Sequence, residues 1–139
     1  MSRDVLTAVV DALKADASVT ALVSTRVFAG ELPPAEAEHM PRKAVVVQRV
    51  SGSTGIPGYM EVERGAIDCV CWGETIFEAE KLRQATRAVL KQLNRRTALG
   101  TLIHSLNPFG GANTSRDGDT QWPFSSETWE FLASEIEAT

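Results

Sequence analysis

Residues 60–94 read MEVERGAIDCVCWGETIFEAEKLRQATRAVLKQLN, and the hydrophobic period changes inside them. Up to Trp72, the positions Ile67, Cys69 and Cys71 alternate with Ala66, Asp68, Val70 and Trp72, the period-two pattern of a strand with two distinct faces. Gly73 supplies a turn. Thr75 followed three residues later by Glu78 forms a capping-box signature, in which the hydroxyl accepts from an orphan helix N–H while the carboxylate reaches back. A helix is therefore expected from this point. Within it Ala79, Leu82, Ala85, Thr86, Val89 and Leu93 fall at helical spacing, and Glu78, Lys81, Arg83, Arg87 and Lys91 are assigned to the solvated surface. The unit predicts an α+β domain.

Bulk properties bound the possibilities. With 139 residues the chain suits a single domain over 1–139, large enough to bury roughly 70% of the surface of its unfolded chain without a disulfide or a metal. It is 43% hydrophobic and 23% charged, an ordinary globular composition. A formal net charge of −4 argues against binding driven by phosphate neutralisation, which needs clustered Lys and Arg. No apolar run approaches the roughly 20 residues of a membrane span, and charged residues run through the first helical segment. These features predict a cytosolic chain. Cys69 and Cys71, two apart on one strand, point to the same face and are expected as buried free thiols. His39 and His104 have no zinc-like spacing around them, and neither a metal nor a cofactor is expected.

The remaining elements follow in order. Asp4–Ala15 carries Val5, Leu6, Val9, Val10 and Leu13 on one helical stripe, with Asp4 as a candidate cap. Asp16 or Ser18 opens a shorter helix ending near Ser24, and Arg26–Ala29 reads as a first strand. Glu31–Arg42, with Pro33, Pro34 and Pro41, reads as a surface loop. Lys43–Val50 is a β-branched strand expected to pair with Met60–Trp72. The intervening Ser51–Gly58 is rich in turn formers and predicts a long hairpin arm or mobile loop. Asn94, Arg95 and Arg96 complement the C-terminal dipole of the main helix. Leu99–Leu106 reads as a strand alternating Thr101, Ile103 and Ser105 against Leu102, His104 and Leu106. Pro108–Gly111 breaks it, Ala112–Thr120 reads as a second long loop or disordered tip, and Pro123–Ala133 closes the fold with Trp129, Phe131 and Ala133 on one face.

Catalytic signatures are missing from the sequence. It has no G-x-S-x-G, no phosphate-binding P-loop, no H-E-x-x-H and no Gly-rich dinucleotide turn. His104 could serve as a general base, but the sequence offers it no identifiable nucleophile, and a packed or surface histidine is the plainer reading. Asp68, a carboxylate in mid-strand, must be paired or must face an open surface. Arg49 across the sheet and a subunit boundary are the two options. Trp72, Trp122 and Trp129 read as core or core-edge residues. Trp72 shares its face with Asp68 and Val70, away from the helix, and there a partner subunit could cover it.

The order of elements resembles the tail-completion, or tail-terminator, proteins of long-tailed bacteriophages, a family found also in prophages and gene transfer agents. The pieces that carry the resemblance are LKADASVTALVSTRVF over Leu13–Phe28, IDCVCWGETIFEAEKLRQATRAV over Ile67–Val89, and TWEFLASE from Thr128. The resemblance implies an antiparallel β-sheet with one long helix and an N-terminal helix on one face. It also implies a protomer that forms a homo-hexameric ring capping the head-proximal end of the tail tube. Its partners would be the major tail tube protein and a head-tail connector or stopper protein. DNA would pass through the lumen without sequence-specific binding, which a net-acidic chain suits. The location so implied is the tail or neck of a virion, assembled in the host cytoplasm, with no membrane and no enzymatic role. A closed ring needs two different surfaces on each protomer. Asp68, Val70 and Trp72 are assigned to one subunit interface. Ser53, Thr54, Ile56 and Tyr59 of the first loop, and Asn113, Arg116 and Asp117 of the second, are assigned to partner contacts. The alternatives are a neck or head-closure protein of the same particle, and a small ligand-binding or enzymatic α+β domain using His104, Asp68 or the thiols.

Overall fold

The computed structural model describes residues 5–54, 62–98 and 101–135. Two helices open the chain, α1 over Val5–Ala15 and α2 over Ala17–Val23. Asp16 is the N-cap of α2, its Oδ1 accepting from the backbone N–H of Ser18 at 2.9 Å and of Val19 at 3.1 Å. Strand β1 is Val27–Ala29 and strand β2 is Ala44–Thr54. Between them a single turn of helix, α3 over Pro34–Ala37, interrupts what reads as a loop in the sequence. Strand β3, Val62–Trp72, leads through Gly73 into α4, Ile76–Gln92. Thr75 caps α4 as its spacing predicts, with its Oγ1 3.1 Å from the N–H of Glu78. Gly73 is buried in this turn, where a Cβ would stand 2.8 Å from the backbone nitrogen of Ala79. Only a residue without a side chain fits there. The chain closes with β4 (Arg96–Ala98), β5 (Thr101–Pro108), β6 (Asn113–Arg116) and β7 (Pro123–Glu135).

These strands form one sheet in the order β1-β2-β3-β7-β5-β4, with β6 also on β7. All pairings are antiparallel, as expected, except the short edge pair of β1 with β2, which is parallel. The connection over residues 30–43 is long enough to return the chain to the same end, as a parallel pair requires. Strand β7 lies at the centre. Along one edge it pairs with β3 from Phe124 to Ser134; along the other, β6 takes Pro123–Ser126 and β5 takes Trp129–Glu135. The changeover is bridged by the Phe109 N–H, which donates to the Thr128 carbonyl at 2.8 Å, and by Gly110, whose φ of +82° turns the chain.

The helices cover one face of the sheet. Val45 and Val47 from β2, Ile67, Cys69 and Cys71 from β3, and Trp129, Phe131 and Ala133 from β7 point to that side and are buried with Val5, Val9, Leu13, Leu82 and Leu90. The alternation expected in β3 and β7 is therefore the one observed. In β5 a bulge between Ile103 and Ser105 shifts the register, so Leu106 joins Ile103 in the core and the expected alternation fails after His104. A second bulge, between Arg49 and Ser51, leaves Val50 56% exposed. Helix α4 buries a wider arc than its apolar stripe suggested: Leu90 is fully buried, and Arg83, assigned to solvent from the sequence, is 9% exposed.

Candidate functional site on the open sheet face

Period-two geometry sends Asp68, Val70 and Trp72 to the face without helices, where all three are half-buried. The register sets Gln48 and Thr128 beside Asp68, Val46 and Ser126 beside Val70, and Ala44 and Phe124 beside Trp72. Thr128 Oγ1 donates to Asp68 Oδ1 at 2.5 Å. Arg49 is not the partner of Asp68. Its register position opposite Ile67 sends it to the other face, where it pairs with Glu63 at 2.6 Å and lies 5.5 Å over the Phe131 ring. Trp72 finds much of its cover within its own chain, edge-on against Trp122 at 5.8 Å between centroids and tilted against Phe124 at 5.6 Å. Its Nε1 is buried with no acceptor among the described residues. The face thus has an aromatic end at Trp72 and a polar middle around Asp68.

The two segments assigned to partner contacts lie at opposite ends of the sheet. Ser53 and Thr54 belong to β2, paired opposite Arg64 and Glu63, so the first loop is strand up to residue 54; Ile56 and Tyr59 lie outside the described residues. Asn113 and Arg116 belong to β6, paired opposite Ser126 and Pro123, which corrects the reading of Ala112–Thr120 as a loop. From Arg64 to Trp72 along β3 is ~26 Å at ~3.3 Å per residue. At the β6–β7 turn, Arg116 Nη1 donates to the Gln121 carbonyl at 3.0 Å. Asp117 Oδ1 accepts from the N–H groups of Asp119 and Thr120 at 2.9 and 3.0 Å, which holds its carboxyl below the usual range.

Beneath this turn is a charged cluster that sequence reasoning missed. Glu127 is 3% exposed and receives Arg87 Nη1 at 2.7 Å and Arg83 Nη1 at 3.5 Å. Arg83 also pairs with Glu80, whose Oε2 accepts from Thr114 Oγ1 at 2.9 Å and Ser125 Oγ at 3.0 Å. The Arg83 guanidinium, aided by those hydroxyls, lowers the Glu80 carboxyl from 4.5 to about 2. The cluster ties β6 and β7 to α4. One signal was available: Glu127 has the same parity along β7 as Trp129 and Phe131, so it had to be buried with them.

The groups considered for catalysis do not converge. His104 Nε2 is 2.9 Å from Ser134 Oγ, a partner not foreseen from the sequence, and no described carboxylate bonds its ring. Cys71 Sγ lies 3.6 Å from Thr86 Oγ1, and burial pushes its thiol well up. A cleft of about 340 Å³ between α1 and α4 is lined by Ala12, Asp16, Val89, Gln92 and Arg96 among others, and it holds none of His104, Asp68 or the thiols. Among the described residues no three His, Cys, Asp or Glu side chains gather as metal ligands, and no helix is long and apolar enough to cross a membrane.

No protein-family profile matches the sequence, and no curated protein does. The fold, however, has a counterpart among solved structures. A chain from the virion of a native gene transfer agent particle superposes on 93% of this chain and 93% of its own, with a TM-score of 0.63 and 18% sequence identity. At that identity the likeness establishes a shared fold.

Proposed function

We propose that this chain is a structural protein of a phage-like particle, and that within it the protein is a tail terminator: a hexameric ring that caps the tail tube and joins it to the head connector. The observation that carries the reading is the correspondence of fold, end to end in both chains, with a component of a gene transfer agent virion. The tail-terminator resemblance of the sequence supplies the finer role. Opposite placement of the two partner segments fits a protomer that touches tube on one side and connector on the other.

Function is then complementary binding. Asp68, Val70 and Trp72 provide one subunit surface, and the hairpin bearing Ser53 and Thr54 and the β6–β7 hairpin bearing Asn113, Arg116 and Asp117 reach the neighbours above and below. The test is native mass spectrometry over a concentration range, with negative-stain images, alone and with purified tail tubes. Rings, or caps on one end of the tubes, are the expected result. A monomer that neither closes on itself nor caps tubes overturns the reading. Binding to a head connector without binding to tubes replaces it with a neck or head-closure ring.

A further inference from the structure

The chain is net acidic, yet between Glu80 and Asp117 the sequence carries seven Lys and Arg and no carboxylate. Arg83 and Arg87 are paired with Glu80 and Glu127. Lys81 and Lys91 are exposed and make no ion pair with any described residue. At 100° per residue, Phe77, Lys81, Gln84, Ala88 and Lys91 share one stripe of α4, and every one of them is exposed, Phe77 at 86%. The outer side of α4 is thus a basic ridge with an apolar tip.

On the other side of the molecule, the open sheet face has the complementary pattern. Its aromatic end is Trp72, Trp122 and Phe124, half-buried, and its charged groups are Asp68, the exposed Glu130 and, toward the far end, the exposed Arg64, none of them ion-paired among the described residues, so two acids stand with one base. The spacings agree. From Phe77, Lys81 lies ~6 Å and Lys91 ~21 Å along the helix. From Trp72, Asp68 lies ~13 Å along the sheet and the Ala66–Glu130 pair ~20 Å. Helix α4 runs antiparallel to β3, away from the Trp72 end. Copies related by rotation about an axis along the strands keep that sense, so the Phe77 tip of one meets the aromatic end of the next.

We propose that the α4 ridge is the second subunit surface, and that a second copy of this chain occupies it with its open sheet face. Phe77 lies on the Trp72–Trp122 edge, Lys91 opposes Glu130, and Lys81 extends toward Asp68. Such a contact is heterologous, helix side against sheet side, and can close by rotation. It rests on the ring reading above and names the half of the interface which that reading leaves open.

The test is charge reversal in the full chain, followed by native mass spectrometry. Lys91→Glu and Glu130→Lys are each expected to weaken assembly by about tenfold, with unchanged melting, and the combined variant to regain most of the loss. Phe77→Ser should weaken assembly as well. Wild-type rings with indifferent single variants, or a double variant no better than the singles, overturn this contact and leave the ring reading standing. A wild type that forms no ring alone or on tubes removes both. If Lys91→Glu spares the ring but abolishes retention of a short DNA duplex, the ridge is a nucleic-acid surface and the proposal fails.

Discussion

Glu127→Ala tests whether the buried charges are as interdependent as their geometry indicates. The Glu127 side chain is 4% exposed and that of Arg83 is 10%, so truncation leaves a guanidinium in the core with Glu80 as its remaining partner. Breaking a buried pair from one side costs about 3–5 kcal/mol. Here the value falls at the lower end, about 3 kcal/mol, because Glu80 still compensates Arg83 and because Arg87, 38% exposed, can turn to water. For a domain of this size that lowers Tm by roughly 10 °C. Urea unfolding followed by tryptophan fluorescence reads it directly, with an unchanged m-value as the sign that the unfolded state is the same. The decisive control is the double variant Arg83→Met with Glu127→Leu. If the single loss is the penalty of an orphaned charge, an apolar replacement of both groups comes within about 1 kcal/mol of wild type. A double variant as unstable as Glu127→Ala refutes that account, and a single variant within 1 kcal/mol of wild type refutes the premise that the cluster is interdependent.

The same cluster sets an acid limit on stability. Because the Glu80 carboxyl is lowered in the folded state to about 2, its contribution is fully present above the unfolded value near 4.5 and is lost as pH falls through about 2. Thermal melts between pH 5 and pH 2 should show that slope reduced in Glu80→Gln. Cys69 and Cys71, buried with a thiol pushed well up in the case of Cys71, should resist an aromatic disulfide reagent at neutral pH until denaturant is added. Prompt labelling of the native protein would contradict their burial. Trp72→Ala should lower melting as well as assembly, since Trp122 and Phe124 lose their contact; Glu130→Lys, exposed on the same face, is the cleaner probe of assembly and should leave melting nearly unchanged.

Much of this architecture can be read from residues close together in the chain. Thr75 and Asp16 cap helices as their spacing requires, and alternation in β3 assigns Asp68, Val70 and Trp72 to the open face. What could not be read depends on distant partners or on polar strands. Strand β6 is four exposed polar residues held by ladder bonds to β7 and by Thr114 on Glu80, so it carries no apolar period. Arg83 is buried because Glu127 arrives from 44 positions away. The bulge at His104 reverses the parity of the residues after it, and no local composition marks such an insertion. Trp72 was legible as needing cover, but its cover comes from Trp122, in a turn with no pattern of its own.

The placement of β7 also bears on how the protein is made. This strand, synthesised after β3, β5 and β6, is the one that all three require as a neighbour. Until residues 123–135 emerge, β3 has an open edge and Cys69, Ile67 and Leu106 lack the wall formed by Trp129 and Phe131. A nascent chain therefore holds a sticky, unpaired edge until that strand arrives, and the sheet is completed only by long-range contacts with it. A stop codon or a protease cut before Trp129 should consequently yield aggregated, chaperone-bound material in place of a shorter folded protein.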